Sequence, residues 1–157
     1  MPLSSFWFAA PAAVVVNPIS KSATESVGQL GGSNVDRIND GDNSTLFTTA
    51  SRPLGSDLVI ANLDFGSAQT VAGFIAYQTQ QAASDAVTMR VEWSTDDTNW
   101  TTFGSYWLIN PGNSAHDETQ TPTAVTKRYW RLIANQNFDA VASCAELALF
   151  ETTGQMP

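Results

Sequence analysis

The chain has 157 residues, 43% of them hydrophobic and 14% charged, which suits one folded domain with its own core and excludes an intrinsically disordered chain. Seven Lys and Arg against fifteen Asp and Glu give a net charge of −8; that sign repels phosphate backbones, so nucleic acid is not an expected partner. A single cysteine rules out an intrachain disulfide.

The chain opens on an apolar stretch, Phe6–Val16, broken by Pro11. A spanning helix needs roughly 20 apolar residues, so no membrane span is expected. No basic residue precedes Lys21, and a secretory leader is therefore not expected either. Residues 1–18 read as an N-terminal arm, 19–151 as the domain and 152–157 as a tail. The arm is either a first strand on the domain's own core or a docking segment, because Phe6, Trp7 and Phe8 cannot all face one side of a strand. Ser22–Val27 is the best helical candidate, and it is short.

Strands follow. Leu58–Phe65 reads as one, ended by Gly66, and Thr70–Tyr77 as the next. Thr88–Ser94 alternates cleanly, with Met89, Val91 and Trp93 on one side and Arg90 and Glu92 on the other, the period of a half-buried strand. A polar turn at Thr95–Asn99 returns the chain through Trp100–Phe103. Asn110–Thr126 reads as the longest loop, and Lys127–Ile133 and Ala145–Glu151 complete the set. Many short strands with regular turn signals predict an all-β, antiparallel sandwich or barrel.

Asp36, Asn39, Asp40, Asp42 and Asn43 crowd a turn around Gly41. Hard cations such as calcium take six to eight oxygens of this kind. An EF-hand beginning at Asp36 fails, because its twelfth position would be Phe47 rather than a bidentate Glu. On residue types alone the segment is first an Asp-Gly turn between strands.

The order of segments then carries a resemblance. Asp40-Gly41-Asp42-x-x-Thr45-x-Phe47 is followed by Asn62-Leu63-Asp64-Phe65-Gly66 and by Val91-Glu92-Trp93-Ser94-Thr95-Asp96-Asp97-x-x-Trp100. Arg128-Tyr129-Trp130-Arg131-Leu132 and Ala145-Glu146-Leu147-x-Leu149-Phe150 close the series. Together these resemble the discoidin family, also called the factor V/VIII C-type domain. It includes galactose-binding-like carbohydrate-binding modules and the N-terminal domain of galactose oxidase. Phe47 stands where the family usually has Trp, and Asp97 where it usually has Gly; Asp tolerates left-handed backbone angles.

The resemblance implies a jelly-roll β-sandwich of about eight strands. It also implies a structural calcium ion. Carried over by position, the ligands are the carbonyls of Arg37, Asp42 and Ala145, the carboxylates of Asp40 and Glu146, and an oxygen of Thr45. Such an ion would tie the first loop to the last strand and do no chemistry itself.

Sugars are held by aromatic faces and planar polar groups. Loop candidates of that kind are Arg52, Gln80, Gln81, Trp107 and His116. Each also has a plainer role, Trp107 in the core and the others as solvated loop residues, while Trp93, Trp100, Tyr129 and Trp130 are assigned to packing. One His and one Cys make a catalytic triad an unpromising reading. No HExxH, CxxC or phosphate-cradling loop is present. The expectation is a non-enzyme that binds a glycan or cell-surface carbohydrate, outside the cell or on a virion. The alternative is a structural or adhesion component of a phage or virion assembly, meeting a neighbour or a second copy through Phe6–Val16.

Overall fold

The computed structural model describes residues 14–19, 23–25, 34–48, 57–78, 87–109, 116–136 and 143–155. Its strands are β1 (Val14–Ile19), β2 (Ala23–Glu25), β3 (Phe47–Thr48), β4 (Asp57–Val71), β5 (Gly73–Gln78) and β6 (Val87–Ser94). They continue as β7 (Trp100–Ile109), β8 (His116–Gln120), β9 (Val125–Gln136), β10 (Ser143–Cys144) and β11 (Glu146–Gln155). A short 3-10 helix, Val35–Asn39, is capped by Asn34, whose side chain accepts from Asp36 N. All pairing is antiparallel. One sheet has the order β1-β11-β5-β8, a second β2-β4-β9-β6-β7, and β3 pairs with β10.

Alternation along each strand builds the core between the two large sheets. Leu63 of β4, Val91 of β6, Trp130 and Leu132 of β9, and Leu147 and Leu149 of β11 are buried in one cluster. Aromatic rings join the layers. Phe74 of β5 lies 6.2 Å from Phe103 and 5.4 Å from Trp107, both on β7, and Phe103 meets Trp130 edge-on at 5.0 Å. Tilted and edge-on pairs of this kind add to the burial of apolar area. Phe47, where the family pattern has Trp, is fully buried. Among the described residues no helix is long and apolar enough to cross a membrane.

The antiparallel sandwich expected from the sequence is the fold observed, with three local differences. Ala23–Glu25, inside the expected helix at Ser22–Val27, is strand β2 and pairs with Ala61–Leu63. Gly66 does not end its strand: β4 passes through it with a register shift between Asp64 and Gln69, and Gly66 takes a φ of 70° while its N–H donates to Asp64 Oδ1. The expected loop at Asn110–Thr126 contains β8, which pairs with β5. Val14–Pro18, the end of the expected arm, belongs to β1 and pairs with β11, which agrees with the reading of a first strand on the domain itself. The docking and virion readings rest on Phe6–Val16, of which Phe6–Ala13 lies outside the described residues.

One side of the sandwich is closed by a side chain. Among the described residues β7 and β8 are the outer strands of their sheets, and such edges expose unpaired backbone groups. Gln120 of β8 accepts from Ser105 N at 2.7 Å and donates to Ser105 O at 3.1 Å, so its amide substitutes for a neighbouring strand. Gly104 makes this possible with a φ of 85°, and a Cβ there would collide with Gln120 Oε1. Gly104→Ala is expected to destabilise the fold by about 1–2 kcal/mol, the cost of a left-handed L-residue. A thermal or urea melt indistinguishable from the parent would contradict this account of the edge.

Cys144 is fully buried, and its thiol is pushed up to about 12, chiefly by burial and then by the nearby Glu146 charge. A thiolate is the reactive form. The native protein is therefore expected to resist iodoacetamide at pH 8 and to be alkylated once unfolded in guanidinium. Rapid native labelling would show the thiol to be accessible.

Candidate functional site

The acidic loop folds into a self-bonded turn that faces the start of β11. Asp40 Oδ1 accepts from Asp42 N at 2.9 Å, and Asp40 Oδ2 lies 3.0 Å from the Thr45 hydroxyl. Asp42 holds Ser44 through both the backbone N–H and the hydroxyl, which draws its carboxyl below the usual range. Thr45 N donates to the carbonyl of Asp42 at 3.2 Å. Arg37 sends its guanidinium to the carbonyl of Leu46 at 3.1 Å, which pins the far end of the turn.

Two bonds join this loop to β11. Gly41 N donates to Glu146 Oε2 at 3.0 Å, and Asn39 Nδ2 donates to the carbonyl of Leu147 at 3.1 Å. Ala145 N donates to the carbonyl of Tyr77 at 2.9 Å, so the strand's start is fixed from β5 as well. Residues more than 100 positions apart are thereby brought together. Glu146 is buried, and burial pushes its carboxyl up to about 7; the Gly41 N–H opposes the shift and the neighbouring Asp40 charge adds to it. An open cavity of about 240 Å³ lies beside it, lined in part by Asn39, Asn43, Tyr77 and Glu146.

All six positions carried over for calcium, Arg37, Asp40, Asp42, Thr45, Ala145 and Glu146, lie in this loop or at the strand start it meets. Their donors are oxygens, the type calcium takes, and two carboxylates face the same small region. Among the described residues no three His, Cys, Asp or Glu side chains converge as a metal cluster. Carbonyl oxygens would have to complete the shell, as the resemblance implies.

The ligand candidates fare differently. Arg52, Gln80 and Gln81 lie outside the described residues. His116 begins β8, where its backbone pairs with Gln78. Trp107 requires a correction: it is 5% exposed and packed on Phe74, so its ring is used by the core and is not offered to a ligand. Its strand alternates with Phe103 and already signalled burial.

A second correction concerns the aromatic residues assigned to packing. Trp130 is fully buried and Trp93 is packed against the core. Tyr129 and Trp100 are only partly buried and line a surface cavity. In Arg128-Tyr129-Trp130-Arg131 only one of the two adjacent rings can point inward; that alternation was the available signal.

The factor V/VIII type C (F5/8 type C) domain model matches residues 19–147, and the chain belongs to that family. No curated protein matches it in sequence. Among solved structures it is similar to CBM32-1 from a family 31 glycoside hydrolase of Clostridium perfringens, at 15% identity and a TM-score of 0.67 over 85% of this chain and 95% of that one. It is also similar to chitosan-binding module 1 from a chitosanase/glucanase of Paenibacillus sp. IK-5, at 24% identity and a TM-score of 0.62 over 85% and 96% of the two chains. A third neighbour is CpGH89CBM32-5 from Clostridium perfringens, solved with GalNAc-β-1,3-galactose, at 20% identity and a TM-score of 0.61 over 83% and 94%. The architecture is thus the jelly-roll sandwich of these modules.

Proposed function

We propose that this domain is a non-catalytic recognition module that binds carbohydrate through loops at one edge of the sandwich, with a calcium ion bracing the first loop against β11. The sugar reading is supported by the family and by neighbours solved with sugars or named for binding them. The observation that carries the calcium part is the meeting of Asp40 and Glu146. Burial raises the cost of ionising Glu146, and the Asp40 charge beside it adds to that cost. A divalent cation removes that cost, with the carbonyls of Arg37, Asp42 and Ala145 and an oxygen of Thr45 as its other donors. The ion supplies rigidity only. Arg52, Gln80, Gln81 and His116 are the residues proposed to meet the sugar, outside the cell or on a virion surface.

A glycan array tests the reading. In calcium the purified chain is expected to mark glycans ending in galactose or N-acetylgalactosamine, with weaker signal in EDTA. A folded protein that marks no glycan in calcium would overturn it.

A further inference from the structure

The outer face of the five-stranded sheet carries a cavity lined by polar and aromatic side chains. Cross-strand pairing sets Asp64 of β4, Tyr129 of β9, Ser94 of β6 and Trp100 of β7 in one row. Their chain neighbours Leu63 and Trp130 are buried in the core, so the row lies on the opposite face. A cavity of about 280 Å³ opens there, lined chiefly by Asn62, Asp64, Asp97, Trp100 and Tyr129.

The lining groups are held in place. The Arg131 guanidinium sits 4.1 Å from the centre of the Trp100 ring, and Arg131 is itself bonded to the buried Glu92. Arg128 lies 4.7 Å from the Tyr129 ring and grips both oxygens of Asp64, at 2.7 and 2.8 Å. Asp97 is presented by a tight turn with a φ of 60°, fixed because Asp96 accepts from Asn99 N, Asn99 Nδ2 and Thr98 N. The side chains of Asn62 and Asp97 make no hydrogen bond among the described residues. Partly exposed rings beside the Asp64 carboxylate held by Arg128, and beside the Asn62 amide and Asp97 carboxylate, offer a surface for the C–H face of a sugar ring and polar groups for adjacent hydroxyls. The cavity lies just below the usual range for small-molecule sites, which suits one ring rather than an extended chain. Arg128 neutralises Asp64, and Asp97 leaves the surface net negative.

We infer that the cavity formed by Asn62, Asp64, Asp97, Trp100 and Tyr129 is a carbohydrate subsite for one neutral or amino-substituted pyranose. It stands on this face alone and does not depend on calcium or on Arg52, Gln80 and Gln81.

The test follows the indole N–H signals of the nitrogen-15-labelled protein by NMR during titration with galactose, glucosamine and glucuronic acid. The Trp100 signal is assigned with Trp100→Phe. Concentrations reach about 50 mM, enough to fill a site of millimolar affinity. The Trp100 signal is expected to move with galactose or glucosamine and to stay put with glucuronic acid. In the double variant Asn62→Ala, Asp97→Asn, which changes surface groups only, the midpoint is expected to rise about tenfold, a loss of ~1.4 kcal/mol. Movement of other signals with Trp100 unmoved would sink this inference and leave the loop-edge reading standing. An equal response to glucuronic acid, or a midpoint unchanged in the double variant, would also overturn it.

Discussion

Calcium added to the metal-stripped protein is expected to raise its melting temperature by about 5–10 °C. A ligand at a hundred times its dissociation constant stabilises the native state by about 2.7 kcal/mol, and ~1 kcal/mol moves the midpoint of a domain this size by roughly 2–4 °C. The direction with pH is set by Glu146. Its carboxyl is raised from 4.5 to about 7 in the native state, so the folded chain holds a proton that the unfolded chain has already lost. Without metal, this contribution is fully present below about 4.5 and disappears as pH rises through about 7. The cation takes the proton's place, so the gain from calcium should grow over that window. In Glu146→Gln the calcium gain is expected to vanish, although the Gly41 N–H can still bond the amide oxygen. An identical calcium response in this variant would remove Glu146 from the metal's shell.

Glu92→Ala is expected to cost about 3 kcal/mol, the low end of the range for breaking a buried pair because Arg90 keeps Asp57, and to lower the melting temperature by on the order of 10 °C. Glu92 is the centre of a chain of charges across the sheet. Its Oε1 accepts from Arg90 Nε at 2.6 Å, and its Oε2 accepts from Arg131 Nε at 2.7 Å. Arg90 in turn grips Asp57 at 2.6 and 3.1 Å, which holds the Asp57 carboxyl below the usual range. Side-chain exposure of Arg90 and Glu92 is only 8% each, so water does not replace the lost carboxylate. Glu92→Gln keeps an acceptor and should lose less. A loss under about 1 kcal/mol for Glu92→Ala would mean that the network behaves like a surface ion pair.

Legibility in the sequence followed how local the cause was. The alternation in Thr88–Ser94 places β6 almost to its ends, because every second residue meets the core. β8 is different. His116–Gln120 has no apolar alternation, and its order comes from backbone pairing with β5 and from the Gln120 amide on β7. Gly66 read as a stop because nothing local announces that β4 resumes after a register shift. Arg90 and Glu92 were correctly set opposite Met89 and Val91, but their burial depends on partners from β4 and β9. The approach of Glu146 to Gly41 spans 105 positions, and no periodicity encodes it; it was legible only through the resemblance. The reverse holds for Trp100 and Tyr129. Family motifs suggested packing, and strand alternation alone would have turned Tyr129 outward beside Trp130.

The most direct test of the central claim removes three of the four proposed sugar contacts. The triple variant Arg52→Ala, Gln80→Ala, Gln81→Ala is compared with the parent in calcium, using the strongest glycan from the array and titration calorimetry. Affinity is expected to fall by about tenfold or more, ~1.4 kcal/mol, with an unchanged melting temperature. Undiminished binding by the variant would contradict recognition at that edge.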